Sequence, residues 1–280
     1  MPELLLRVLS AIVLLIAVMA VTWKGGVAFS LFWAAAAALI LYEYATITGL
    51  FAKRALLGVC GLGLAAGLVI WFTHGPARAF DLVGAVIVGV VVIEAISSRR
   101  IWGAFGLLYA FLPFAALALL RGEDLNGLIA VCMVYGCVWG ADTLAYFTGR
   151  ALGGPKLAPA ISPNKTWSGF FGGLMGSVLL MLAVLTLASL PIGIGAVVLA
   201  IMISIVSQIG DLVESWIKRR FKVKDSSHLI PGHGGVLDRI DGLIFGGVFA
   251  WVVGSLVSPV GGWFEPGASA RGLLSAFVMP

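Results

Sequence analysis

The densest chemistry in this 280-residue chain lies between Lys218 and Asp241, KRRFKVKDSSHLIPGHGGVLDRID, which gathers six cations, three carboxylates and two histidines. The chain is otherwise 61% hydrophobic and only 11% charged, so this stretch reads as a site for something anionic or metallic. Asp211 and Asp238 stand 27 positions apart, joined by a loop that leaves an apolar environment and returns, so both can reach one cation. Hard carboxylate oxygens suit magnesium, which keeps positions open to phosphate and serves phosphoryl-transfer chemistry. The surrounding lysines and arginines would then touch phosphate, although composition alone fits an ordinary basic flank equally well. The Pro231-Gly232-His233-Gly234-Gly235 run favours phosphate, because small residues let the backbone approach an anion closely.

A second polar segment, GRALGGPKLAPAISPNKTWSGFFGG, begins at Gly149. Ser162, Asn164, Lys165, Thr166 and Ser168 supply donors in a short turn just before a helix whose N-terminal amides would face an anion. It contains no GxxxxGK[ST], which argues against an ordinary P-loop nucleotidase. Gly169 with Gly173, and Gly172 with Gly176, read as small residues for close helix packing.

The elements that must position these residues are apolar. Mean hydropathy is +1.08, and about nine apolar runs centre near residues 14, 37, 63, 88, 110, 138, 178, 202 and 251. Roughly 20 apolar residues span a bilayer as a helix, so the expected fold is all-α, a polytopic integral membrane helical bundle. Continuous runs exclude a β-barrel, which needs alternation. The first run, after Arg7, is read as an uncleaved span, although Val18-Met19-Ala20 resembles a weak signal-peptide cleavage site. Cys60, Cys132 and Cys137 fall inside apolar runs and read as buried small side chains. With the N-terminus cytoplasmic, 14 of the 18 Lys and Arg face the cytoplasm and Lys24, Arg78, Arg121 and Arg271 face the other side. Residues 1–125 then form N-terminal helices of about five spans. Residues 126–280 form a catalytic region with two cytoplasmic polar loops, 149–168 and 216–241.

Glu43, Glu94, Asp142 and Asp211 all fall near the cytoplasmic C-terminal ends of even-numbered spans. A helix C-terminus is already partly negative, and ionisable groups at membrane depth are costly, so each acid needs compensation. Glu43 and Glu94 are read as structural, paired with Lys53, Arg54, Arg99 and Arg100. Asp142 and Asp211 are read as functional, because each lies on a polar stripe. Tyr135, Trp139, Asp142 and Tyr146 share one face of the sixth span; Ser204, Ser207 or Gln208, Asp211, Ser215 and Lys218 share one of the eighth. Asp238 and Asp241 open the ninth span on the same side, so carboxylates from three helices can converge there.

From Ser215 to Asp241 the chain resembles the signature of the phosphatidate cytidylyltransferases, or CDP-diacylglycerol synthases, and SPNKTWSGFFGG is similar to that family's second block. The resemblance covers mainly residues 130–260; the first five spans match only in being hydrophobic. It implies that CTP and phosphatidate give CDP-diacylglycerol and pyrophosphate with a divalent cation, Mg2+. It further implies Asp211 and Asp238 as metal ligands, with Asp142 supporting that cation or a second one. Ser162, Asn164, Lys165 and Thr166 become the nucleotide-phosphate loop, and Lys218, Arg219, Lys224 and Arg239 neutralise the CTP or lipid phosphates. Asp225, His233 and Asp241 match the signature with roles left open, His233 being a phosphate donor or a turn-stabilising residue. The expected partners are CTP, phosphatidate and the bilayer, with no nucleic acid; glycine-rich helices are compatible with a homodimer. A short chain without long soluble extensions is expected in a bacterial inner membrane, its active site facing the cytoplasm. A CTP-dependent polyprenol or phytol kinase would use similar loops but transfer the γ-phosphoryl group. A cation transporter would spread its acids near the midplane, often in repeated halves, rather than cluster them at one face.

Overall fold

The computed structural model describes residues 3–97, 101–258 and 262–278. Each apolar run folds as a helix: α1 Glu3–Lys24, α2 Gly26–Thr48, α3 Arg54–His74, α4 Pro76–Ser97, α5 Trp102–Arg121, α6 Leu125–Leu152, α7 Trp167–Leu187, α8 Ile194–Arg220 and α9 Leu237–Leu256. Among the described residues, these nine are long and apolar enough to cross a membrane. A short α10, Ala268–Leu273, continues as a π-helical turn to Val278 and packs back on α9.

Two departures from expectation concern the polar segments. SPNKT is a strand, β2 Ser162–Thr166, rather than a turn. It pairs antiparallel with β1 Lys156–Ala158, with Lys156 opposite Thr166 and Ala158 opposite Ser162. The second departure is Glu43. Its carboxylate is met by the amides of Val236 and Leu237 and the hydroxyls of Ser226 and Ser227, not by Lys53 or Arg54. Glu94 likewise accepts from the amides of Gly103 and Ala104 at the start of α5; Arg99 and Arg100 lie outside the described residues. The reason is common to both: the first amides of a helix have no partner within it and carry partial positive charge, so a neighbouring carboxylate satisfies them.

The breaks between helices follow local chemistry. Gly25, at φ +67°, ends α1 in a left-handed conformation, and a Cβ there would strike the Arg121 guanidinium. Buried Arg121 in turn donates to the last carbonyls of α1, Thr22 and Trp23. Asp124 caps α6 by accepting from the Gly127 amide at 2.8 Å.

The core is centred on α5, which touches α2, α3, α4, α6 and α9 and is the most enclosed span. Phe111, Phe114, Leu117 and Leu120 on α5 are fully or almost fully buried. The closest helix pair is α6 with α7. Gly140 and Gly176 face each other there, and a Cβ on either would overlap the other's carbonyl oxygen. Since lipid tails are as apolar as leucine, such helices associate through close van der Waals fit, and small residues permit it. Cys60 and Cys137 are buried and Cys132 is half-buried, all as free thiols.

Candidate active site

The polar segments gather at one end of the bundle around a cavity of about 1360 Å³. Its walls are the last turns of α6 and α8, the β1–β2 hairpin, the 221–236 loop and the first turns of α9. Helix length explains two of these walls. At 28 and 27 residues, α6 and α8 exceed the roughly 20 needed to span hydrocarbon, so their polar final turns project beyond it. Asp142 and Asp211 each lie 17 residues from the start of their helix, which at 1.5 Å per residue is about 26 Å along the axis. Both helices approach from the same side, so the two carboxylates reach the cavity at similar depth.

Lys165, on β2, forms an ion pair with Asp211, whose other oxygen lies 3.4 Å from the Ser215 hydroxyl. Lys218 sits between two acids, 2.8 Å from Asp238 and 2.6 Å from Glu214. The approach to Glu214 is an ion pair without the alignment of a hydrogen bond. Asp238 is the most heavily solicited carboxylate. Besides Lys218, it accepts from the Ser226 amide and hydroxyl at 3.1 and 2.8 Å and from the Gly235 amide at 2.9 Å. Gly234, at φ +81°, permits that approach, since a Cβ there would stand 2.8 Å from an Asp238 oxygen.

The glycine-rich run is a tight turn, closed by hydrogen bonds between Ile230 and Gly234 and from the His233 amide to the Ile230 carbonyl. The Arg239 guanidinium clamps it with two hydrogen bonds to the His233 carbonyl, at 3.0 and 2.8 Å. On the imidazole side, His233 Nδ1 lies 2.9 Å from the Ser10 hydroxyl of α1.

Of the residues singled out in the sequence, Asp142, Asn164, Lys165, Thr166, Asp211, Lys218, Lys224, Asp225, His233, Asp238, Arg239 and Asp241 line this one cavity. Thr166 also caps α7, its hydroxyl accepting from the Gly169 amide at 3.1 Å. Ser162 and Arg219 are outside the lining. Ser162 pairs within the hairpin, and Arg219 reaches the carbonyls of Ile161 and Val223, tying the end of α8 to the hairpin and the following loop. Arg150, Lys156 and His228 also line the cavity without having been assigned to the site, and three further contributors were not anticipated. Glu214 lies four residues before Lys218 on the same stripe, a spacing that could have revealed it. Arg7 on α1 lines the cavity and Ser10 touches His233, neither with any signal in an otherwise apolar run.

The lining carries seven Lys and Arg against six Asp and Glu. The formal charges nearly cancel, and two of those cations, Lys165 and Lys218, are held in ion pairs with Asp211, Glu214 and Asp238. Among the described residues, no three His, Cys, Asp or Glu side chains are grouped closely enough to cage a metal by themselves. The donor set is nevertheless hard oxygen, and magnesium typically takes one or two carboxylates and completes its shell with water and substrate phosphate. A volume above the usual range of roughly 300–1,000 Å³ for a single small ligand suits more than one.

A bundle of apolar helices whose polar ends enclose a wide cavity lined with cations and acids defines a polytopic membrane protein with a polar site at one face. This chain belongs to the cytidylyltransferase family, whose pattern residues 5–257 match. It is 43% identical over 260 residues to the phosphatidate cytidylyltransferase of Brucella abortus biovar 1 (strain 9-941), covering 91% of this chain and 95% of that one. It is 35% identical over 252 residues to the phosphatidate cytidylyltransferase of Staphylococcus epidermidis (strain ATCC 12228 / FDA PCI 1200), covering 85% of this chain and 94% of that one. With the phosphatidate cytidylyltransferase of Staphylococcus aureus (strain COL) the identity is 33% over 260 residues, covering 85% and 94%.

Proposed function

We infer that the protein is a phosphatidate cytidylyltransferase, an enzyme that joins CTP and phosphatidate into CDP-diacylglycerol and releases pyrophosphate. The observation that carries this reading is the convergence of the 162–166 strand, the 218–241 segment and the acids of α6 and α8 on one cavity at the end of a membrane bundle. An oxygen of the lipid phosphate attacks the α-phosphorus of CTP, and the bond from that phosphorus to the oxygen bridging to the β-phosphorus breaks. The nucleophile is already anionic, so the protein has little proton chemistry to perform; positioning and charge neutralisation dominate.

Lys165 and Lys218 stand beside Asp211 and Asp238, so a divalent cation taking those carboxylates would leave both ammonium groups to face substrate phosphate. Lys224 and Arg239 add charge from the glycine-rich side. Seven cations offset by six acids leave little net charge for two polyanions, which supports a role for a divalent cation. Asp211 and Asp238, with Asp142 nearby, would hold magnesium, which supplies the missing positive charge and stabilises the departing pyrophosphate. The glycine turn, braced by Arg239, offers backbone close to the anions.

The test follows CTP labelled separately at the α- and γ-phosphates, with phosphatidate and magnesium and the purified protein in detergent. The expected result is α-label in lipid and γ-label released as pyrophosphate. Entry of γ-label into lipid would instead make the enzyme a kinase.

A further inference from the structure

Glu43 is a buried acid on α2, 183 residues from Ser226 in sequence, and it does not line the cavity. Its carboxylate accepts from the Val236 amide at 2.9 Å and the Leu237 amide at 2.7 Å, at the entrance to α9. The residue preceding that helix provides no side-chain cap, so the cap comes from a different helix altogether. The hydroxyls of Ser226 and Ser227 also reach Glu43. Ser226 then extends the connection, because its hydroxyl lies 2.8 Å and its amide 3.1 Å from Asp238. Gly235 is gripped from both sides: its amide donates to Asp238, and a Cβ on it would stand 2.6 Å from a Glu43 oxygen.

We propose that Glu43 is a positioning residue for the reaction: it locks Ser226, Gly235 and the first turn of α9, and so sets the aim of the Asp238 carboxylate into the cavity. The kinetic half of this inference rests on the cytidylyltransferase reading; the structural half does not. The molecule supplies its own control. Glu94 is equally buried and also accepts from helix-start amides, those of Gly103 and Ala104, but it lies away from the cavity.

The experiment compares wild type, Glu43→Gln, Glu43→Asp and Glu94→Gln in detergent, below the unfolding temperature of each. Two quantities are read: kcat and KM for both substrates, and hydrogen exchange of the 226–238 segment without substrate. Glu43→Gln is expected to lower kcat about 10- to 100-fold, the cost typical of removing the support of a metal-facing group. The same variant should exchange faster across 226–238. Glu43→Asp, which keeps both oxygens, should recover part of each effect, and Glu94→Gln should leave kcat and 226–238 exchange at wild-type levels. The proposal is overturned if Glu43→Gln merely loses stability as Glu94→Gln does, with kcat and exchange unchanged. Should Glu43→Gln fail to fold, Ser227→Ala removes one partner from the loop side, and the same two quantities decide. If wild type transfers no α-label to lipid, the functional reading fails, while the positioning role still stands or falls on exchange alone.

Discussion

Asp238 and Asp211 differ in what a substitution would remove. Asp238 accepts from Lys218, Ser226 and Gly235 together, so its carboxylate both joins the loop to α9 and faces the cavity. Asp238→Asn keeps the shape but replaces one acceptor oxygen with a donor group and discharges the partner of Lys218. Turnover should fall by about 100-fold or more, while the protein remains extractable and helical by circular dichroism; full activity in the variant would refute the assignment. Lys165 makes a simpler contact, an ion pair with Asp211 from the hairpin. For Lys165→Ala the expected outcome is a KM for CTP raised about tenfold, the loss of one charge-assisted contact of roughly 1.5 kcal/mol. KM for phosphatidate should move less. An unchanged KM for CTP at normal rate would take Lys165 out of the nucleotide site.

The helices matter through their lengths and their seams. The α6–α7 seam depends on Gly140 and Gly176, whose backbones touch. Gly140→Val should force the helices apart and lower stability by about 1–3 kcal/mol, measured as a lower midpoint of thermal unfolding in detergent; an unchanged midpoint would mean that the seam tolerates a side chain. Much of this level could be read from the chain alone. Among the described residues the continuous apolar runs fold as nine long helices, the 3.6-residue stripes bring Asp142 and Asp211 to one place, and the paired glycines of α7 mark its close packing. The hairpin could not be read, because strands of three and five residues are too short to display alternation. Glu43 was misread for a different reason. Sequence offered only nearby Lys53 and Arg54 as partners, whereas the fold supplies Ser226 and Leu237 from nearly 200 positions away. Local spacing carries no information about such a pairing.

At the scale of the whole molecule, the polar end has a recognisable rim. Tyr146, Phe147, Trp167 and Phe171 are all substantially exposed at the end of α6 and the start of α7. Aromatic side chains concentrate at the boundary between hydrocarbon and water, so this rim is consistent with a cavity opening at headgroup level and a lipid entering sideways. The excess of Lys and Arg at the same end predicts that it faces the cytoplasm. Single cysteines at Lys156, on the hairpin, and Glu123, at the opposite end, provide the check, with an impermeant maleimide applied to intact cells. Glu123→Cys should label and Lys156→Cys should not; the reverse pattern would invert the topology. The long-range tie of Glu43 also bears on how the protein is made. Its amide partner Leu237 lies 194 residues further along, and at about 5–20 residues per second a ribosome needs roughly 10–40 s to cover that distance. Throughout that interval the Glu43 carboxylate lacks the donors that it has in the folded protein, the 226–237 segment not yet having been made. Release of the nascent helix into lipid, or its retention by an insertion chaperone until α9 emerges, becomes a timing problem written into the fold.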